Sequence, residues 1–326
     1  MDKILFEQLH ASGLISDQAL KAICDKEANR QVSVHWDLRI LLYLGVLLVS
    51  AGLGILLYKH IDTIGHAILL AIAALAAAGC FTYCFLRALP YSAGRVAPPN
   101  VWFDYVLLLG CLLLLTFMGY LQFQYQVFGS RWGLATFMPM LLLFALAYYF
   151  DHRGVLSLAI TNLGAWMGVA IEPMQLMRTG WSGNNMVVNG LILGCTLHLA
   201  CWLALRFEVK SHFETVYRNF GAHILFISLL AAMGVFHHYY IVWFLVLMVF
   251  SGYYIYRSMS AGNFYYLVMA VLYSYAGLSY VVVRFLILLN NMTAVYLIIF
   301  YFIGSGLALV KLLMHFNRKL KQNDSI

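Results

Sequence analysis

The sequence predicts an all-α, polytopic membrane protein: a transmembrane helix bundle of about ten spans, led by a short cytoplasmic helical hairpin. Three observations carry this reading. Hydrophobic residues make up 63% of the 326-residue chain and charged residues 10%, a balance that no water-soluble domain of this size keeps in solution. Between Ile40 and Met314 the apolar residues gather into stretches of roughly twenty, the helix length that crosses a hydrocarbon core about 30 Å thick. The Lys and Arg residues, finally, fall on alternate connections between those stretches.

Three regions follow: residues 1–37 as a cytoplasmic amphipathic hairpin, 38–313 as the bundle, and 314–326 as a basic cytoplasmic tail. The spans are expected near 38–58, 64–86, 101–121, 133–150, 154–172, 186–206, 219–236, 239–256, 264–289 and 293–313. Only His237, His238, Tyr239 and Tyr240 separate the seventh from the eighth, so a re-entrant pair is the alternative there, and eight crossings its consequence. Residues 1–37 lack the short charged start and small-residue cleavage site of a signal peptide, which makes the first span an uncleaved anchor.

Orientation comes from the basic residues. With the N-terminus inside, the inner side holds Lys3, Lys21, Lys26, Arg30, Arg39, Arg87, Arg95, Arg153, Arg206, Lys210, Arg218, Arg257, Lys311, Arg318, Lys319 and Lys321. The outer side holds Lys59, Arg131 and Arg178, and Arg284 lies within a span. That asymmetry places both termini in the cytoplasm. The formal charge of +7 is thereby explained by membrane topology, with no need of a nucleic-acid partner.

In the hairpin, Ile4, Leu5 and Leu9 form one apolar stripe, Gly13 breaks the chain, and Ser16 is placed to cap a second helix carrying Leu20 and Ile23. Two readings stay open: the stripe packs on the mouth of its own bundle, or it docks a partner protein. The acidic residues of this segment argue against DNA. Five of the six cysteines lie within spans and form no CxxC pair, so disulfides, redox chemistry and zinc are not expected. The first two spans are rich in Gly and Ala, which suits a closely packed helix pair. Tyr120, Tyr125, Trp132, Trp181, Tyr239, Tyr240 and Trp243 fall near outer ends, where aromatic rings favour the headgroup level.

The run LHASGLISDQALKAI, followed after a polar linker by LLYLGVLLVSAGLGILLYKHIDTIGHAILLAI, resembles the start of the DUF2157 family of predicted bacterial membrane proteins. Gly13, Leu14, Ile15, Gly45, Gly52 and Asp62 carry the likeness, while His60 and Ile61 stand where the family often has Asn-Trp. The resemblance implies a bacterial inner-membrane protein. The family has no established activity, so no functional residue transfers from it.

An ionisable group in lipid costs about 2.5–3.5 kcal/mol at the bilayer centre, so each one asks for a reason. Glu172 closes the fifth span and Arg284 lies near the outer end of the ninth, at similar depth on the expected topology. They either snorkel separately, pair with each other, or serve a substrate or proton. Asp104 reads as a helix-start residue. His198 and Asn189 on the sixth span and Asn162 on the fifth either bond neighbouring helices or line a polar cavity. The ninth span carries Tyr265, Tyr266, Tyr273, Ser274, Tyr275, Ser279 and Tyr280, more hydroxyls than a lipid-facing helix favours, which puts it inside the bundle or along a cavity. His60, Asp62, His66, His237 and His238 gather outside without metal-ligand spacing, so no metal is expected, and no cofactor motif is present.

No clustered carboxylates, HExxH or GxSxG nucleophile mark an enzyme. The expectation is a small-solute or ion transporter or transport-associated subunit; the alternative is a non-catalytic scaffold or sensor that binds a partner through residues 1–37.

Overall fold

A computed structural model describes Ser16 and residues 35–59, 65–129, 132–168, 184–288 and 292–323. The expected hairpin, apart from Ser16 and its last three residues, lies outside the described residues, as do Glu172, His60 and Asp62. The chain divides into two units, Met1–His60 and Ile61–Ile326. The first contains helix α1 (His35–Lys59).

The second unit holds α2 (His66–Arg87), α3 (Val101–Tyr125), α4 (Trp132–Phe150), α5 (Arg153–Trp166), α6 (Asn184–Arg206), α7 (Glu214–Val235), α8 (Tyr240–Ala261), α9 (Phe264–Ile287) and α10 (Met292–Asn323). Short 3-10 turns at Ser211–Phe213 and His237–Tyr239 precede α7 and α8. Each expected span thus has its helix, and no strand occurs among the described residues. Hydrocarbon leaves the backbone no partner but itself, which is why the apolar stretches fold as helices.

Among the described residues eight helices, α2 to α4 and α6 to α10, are long and apolar enough to cross a membrane. The sequence had placed its doubt at the seventh and eighth spans. Both are helices of 22 residues, long and apolar enough to cross. Helix α1 runs over 25 residues, His35–Lys59, and its apolar run from Ile40 to Ile55 continues in the sequence through Leu56, Leu57 and Tyr58, while α5 is described for 14 residues, Arg153–Trp166. At the other end α10 continues to Asn323, through residues read as a separate tail, because HFNRKLKQN contains neither Gly nor Pro to stop it.

Local chemistry sets several boundaries. The Asn100 side chain accepts from Phe103 N at 2.8 Å to start α3, and the Asn263 side chain accepts from Tyr265 N at 3.2 Å to start α9. Gly262, at φ +66°, ends α8 in the left-handed conformation that costs glycine nothing.

Sequential helices pack as pairs, α2 with α3, α4 with α5, α6 with α7 and α8 with α9. One buried cluster joins Cys84 of α2, Leu107 and Cys111 of α3, Leu143 of α4, Leu156 and Ile160 of α5, Leu193 and Leu197 of α6, and Tyr217 of α7. A second gathers Phe226 of α7, Leu247 and Tyr254 of α8, and Tyr266 and Ala270 of α9. The closest approach is between α6 and α7. A methyl group at Gly194 would stand 2.9 Å from Leu225 Cβ and 3.1 Å from its backbone, and one at Gly221 would stand 2.9 Å from His198 Nδ1. In lipid such close fit, rather than removal of surface from water, holds helices together. α10 is peripheral, touching Leu267 and Val271 of α9 through Leu309, Leu313 and Phe316. Large apolar side chains such as Trp202, Val249 and Phe300 are exposed, a surface suited to lipid chains.

Candidate functional site: a buried charge node and the intramembrane polar groups

The most heavily determined polar site joins three connections that the sequence treats as separate loops. Asp151 sits in the two-residue turn between α4 and α5, and Lys210 in the connection from α6 to α7. Their side chains are 1% and 0% exposed, with Lys210 Nζ 3.2 Å from Asp151 Oδ2. The other carboxylate oxygen, Oδ1, accepts from His212 Nε2 at 2.5 Å, while Oδ2 also accepts from Val96 N. Lys210 donates further, from Nζ to Gly94 O at 3.1 Å and from its backbone N to Ala93 O at 2.8 Å. Two buried charges survive only when paired and further hydrogen-bonded, and both conditions hold here. Asp151 and Lys210 also take positive φ, +57° and +49°, an uncommon conformation for residues with a Cβ. The node therefore pins the 88–100 connection and the 207–213 connection to the α4–α5 turn.

His152, next to the node, is buried and caps α5: its Nδ1 accepts from Val155 N at 3.0 Å. The ring proton consequently belongs on Nε2, which lies 3.9 Å from Asp104 Oδ1, beyond hydrogen-bond reach. Burial pushes the His152 pKa below its ordinary value, and the carboxylates of Asp104 and Asp151 pull it part of the way back. Asp104 stands in the first turn of α3, the helix-start position that its sequence context suggested.

Among the described residues, those singled out within the spans do not converge on one cavity. His198 donates from Nδ1 to Gly194 O at 2.7 Å, which leaves Nε2 to accept from the Tyr254 hydroxyl at 2.8 Å. Asn189 instead donates to Met167 O at 2.5 Å, just past the end of α5. Asn162 Nδ2 is buried with no hydrogen-bond partner among the described residues. Tyr273 meets His223 Nδ1 at 3.0 Å, and Tyr265 takes the other ring nitrogen at 2.6 Å. His223 escaped the sequence reading; its position on α7, facing two tyrosines of α9, is visible only once those helices are paired.

Tyr280 donates to Met233 O at 3.0 Å and accepts from Arg284 Nη1 at 3.0 Å, and the Arg284 guanidinium lies 4.5 Å from the centre of the Tyr240 ring. Arg284 is thus held by aromatic side chains on α8 and α9. The hydroxyls of α9 reach every neighbour: Tyr266 bonds Asn219 of α7, Ser274 bonds Ser251 of α8, and Tyr275 and Ser279 bond Ser305 and Tyr301 of α10. On the opposite side from the node, His66 Nδ1 pairs with the Tyr120 hydroxyl at 2.6 Å, and His237 and His238 lie ring to ring.

One cleft opens where α7 starts and α8 ends. It has a volume of about 30 Å³ and is lined by Arg218, Tyr254, Arg257, Ser258, Asn263 and Tyr266. The Tyr254 hydroxyl on its wall is the one that bonds His198.

No curated protein and no solved structure matches this chain. Over residues 7–156, from the N-terminal segment through the first residues of α5, it matches the family described as predicted membrane protein (DUF2157), the family that its opening run resembles.

Proposed function

We propose that this protein is a non-catalytic membrane scaffold or sensor, set in the bacterial inner membrane with both termini in the cytoplasm and engaging a partner protein through residues 1–37. What supports this reading is where the intramembrane polar groups spend their hydrogen bonds. His198 closes on Gly194 and Tyr254, Tyr273 on His223, Tyr280 on the Met233 carbonyl and Asn189 on the Met167 carbonyl. A group that handles a passing solute keeps donors or acceptors turned toward a cavity, whereas groups closed on neighbouring helices fix those helices in place. The alternating Lys and Arg distribution supports the orientation.

Sealed vesicles holding the purified protein and reporting internal pH and membrane potential test the reading. Proton and ion leak should stay at the level of protein-free vesicles. A flux that disappears in His198→Phe would overturn it and favour a small-solute or ion transporter, with the Tyr254 cleft as the mouth of the path. For orientation, cysteines placed at the exposed positions Ser92 and Glu208 should react with impermeant reagent from the cytoplasmic side alone.

A further inference from the structure

The cleft at the start of α7 holds more positive charge than its one carboxylate answers. Arg218 and Arg257 both reach Glu214 Oε1, Arg257 from Nη2 at 3.4 Å and Arg218 from Nη1. Arg257 Nη1 further donates to the Tyr253 hydroxyl at 3.1 Å. Two guanidinium groups therefore share a single carboxylate, which leaves one net positive charge beside the cleft.

Donors are left over as well. Arg218 Nε is buried and has no hydrogen-bond partner among the described residues, although each guanidinium N–H withdrawn from water needs an acceptor. Arg218 is not free to swing out and find one: its guanidinium is stacked 4.7 Å from the centre of the Tyr266 ring, and the Tyr266 hydroxyl is anchored on Asn219. Arg257, by contrast, is 45% exposed and stands at the open side. A fixed inner cation, an exposed outer cation and a volume of about 30 Å³, room for roughly one or two oxygen-sized groups, describe a receptor for oxygen atoms of an anion.

We propose that this cleft binds a phosphate oxyanion, with Arg218 as the fixed inner donor and Arg257 as the closing one. The planar fork of arginine suits two oxygens of a phosphate, and the cleft lies at helix ends, at headgroup level for a bundle that spans a bilayer. A phospholipid headgroup and free phosphate present the same chemistry.

The full-length protein in neutral detergent tests this through its melting temperature. Inorganic phosphate is titrated against chloride at matched ionic strength in one arm. In the other, phosphatidylglycerol is added to the micelles against phosphatidylcholine. Wild-type protein should be stabilised by phosphate beyond chloride, by phosphatidylglycerol beyond phosphatidylcholine, or by both; the responding arm identifies the source. Arg257→Gln, at a half-exposed position, should weaken that response about tenfold in apparent affinity. Arg218→Gln should abolish it, and if that variant fails to fold, Arg257→Gln decides alone. No stabilisation in either arm, or an unchanged midpoint in Arg257→Gln, would overturn the proposal.

Discussion

Lys210→Met removes the cation from the buried node and leaves the Asp151 carboxylate 1% exposed without its ammonium partner. Breaking a buried pair on one side costs about 3–5 kcal/mol, because the remaining charge stays out of water. Here the lower end applies, about 3 kcal/mol, since His212 Nε2 and Val96 N still donate to the carboxylate. Asp151→Asn should be similarly costly, as it leaves the buried Lys210 ammonium with the Gly94 carbonyl and the Tyr91 ring but no opposite charge. The double variant should recover part of the loss, because a neutral amide and a thioether leave no stranded charge, giving a coupling between the sites of about 1–3 kcal/mol. The buried thiols of Cys84, Cys111 and Cys201 supply the assay: a thiol-reactive fluorophore reports their release as detergent-solubilised protein is heated. Arg95→Met, at an exposed position of the connection that the node pins, is the control and should shift stability by no more than about 0.5 kcal/mol. If Lys210→Met melts with Arg95→Met, or if the two node substitutions simply add, Lys210 and Asp151 do not hold these connections together.

Two further expectations concern helix packing and a buried imidazole. Gly194→Ala should lower thermal stability by about 1–3 kcal/mol, because the added methyl meets the Leu225 backbone at 3.1 Å, whereas Gly252→Ala meets nothing within 4 Å and should be neutral or mildly stabilising in the same assay. His152 has a folded pKa below its ordinary value, so the unfolded chain takes up that proton first as pH falls. Stability should be full above about pH 6.5 and decline below it, with this residue's slope approaching about 1.4 kcal/mol per pH unit; His152→Asn, which keeps a capping acceptor and cannot titrate, should flatten melting curves taken between about pH 7.5 and 5.5.

What the sequence reveals and what it hides follow from the solvent. A bilayer demands some twenty apolar residues per crossing and forbids unpaired backbone, so helix number and most boundaries could be read from hydropathy: 101–121 against Val101–Tyr125, 264–289 against Phe264–Ile287. The hydroxyl-rich ninth span was legible for the same reason, since lipid gives Tyr266, Ser274 and Ser279 no partner and neighbouring helices do. Side-chain partners were not legible, because they depend on which helices become neighbours. His198 and Asn189 share one helix yet close on Tyr254 of α8 and on the turn after α5, so the polar path that their shared helix suggested is divided between unrelated contacts. The node was hidden most completely. Lys210 reads as one more cytoplasmic charge, while its Nζ contacts Gly94, 116 positions away in sequence, and neither positive φ at Asp151 and Lys210 has a glycine to announce it. One signal was available: a carboxylate beside a histidine in a turn of two residues between spans has little loop around it in which to stay hydrated. The basic residues whose number predicts the orientation therefore divide by role once the fold is known. Arg95 stays in water, where the positive-inside rule counts it, whereas Lys210 is spent on holding three connections together and Arg218 on lining a cleft.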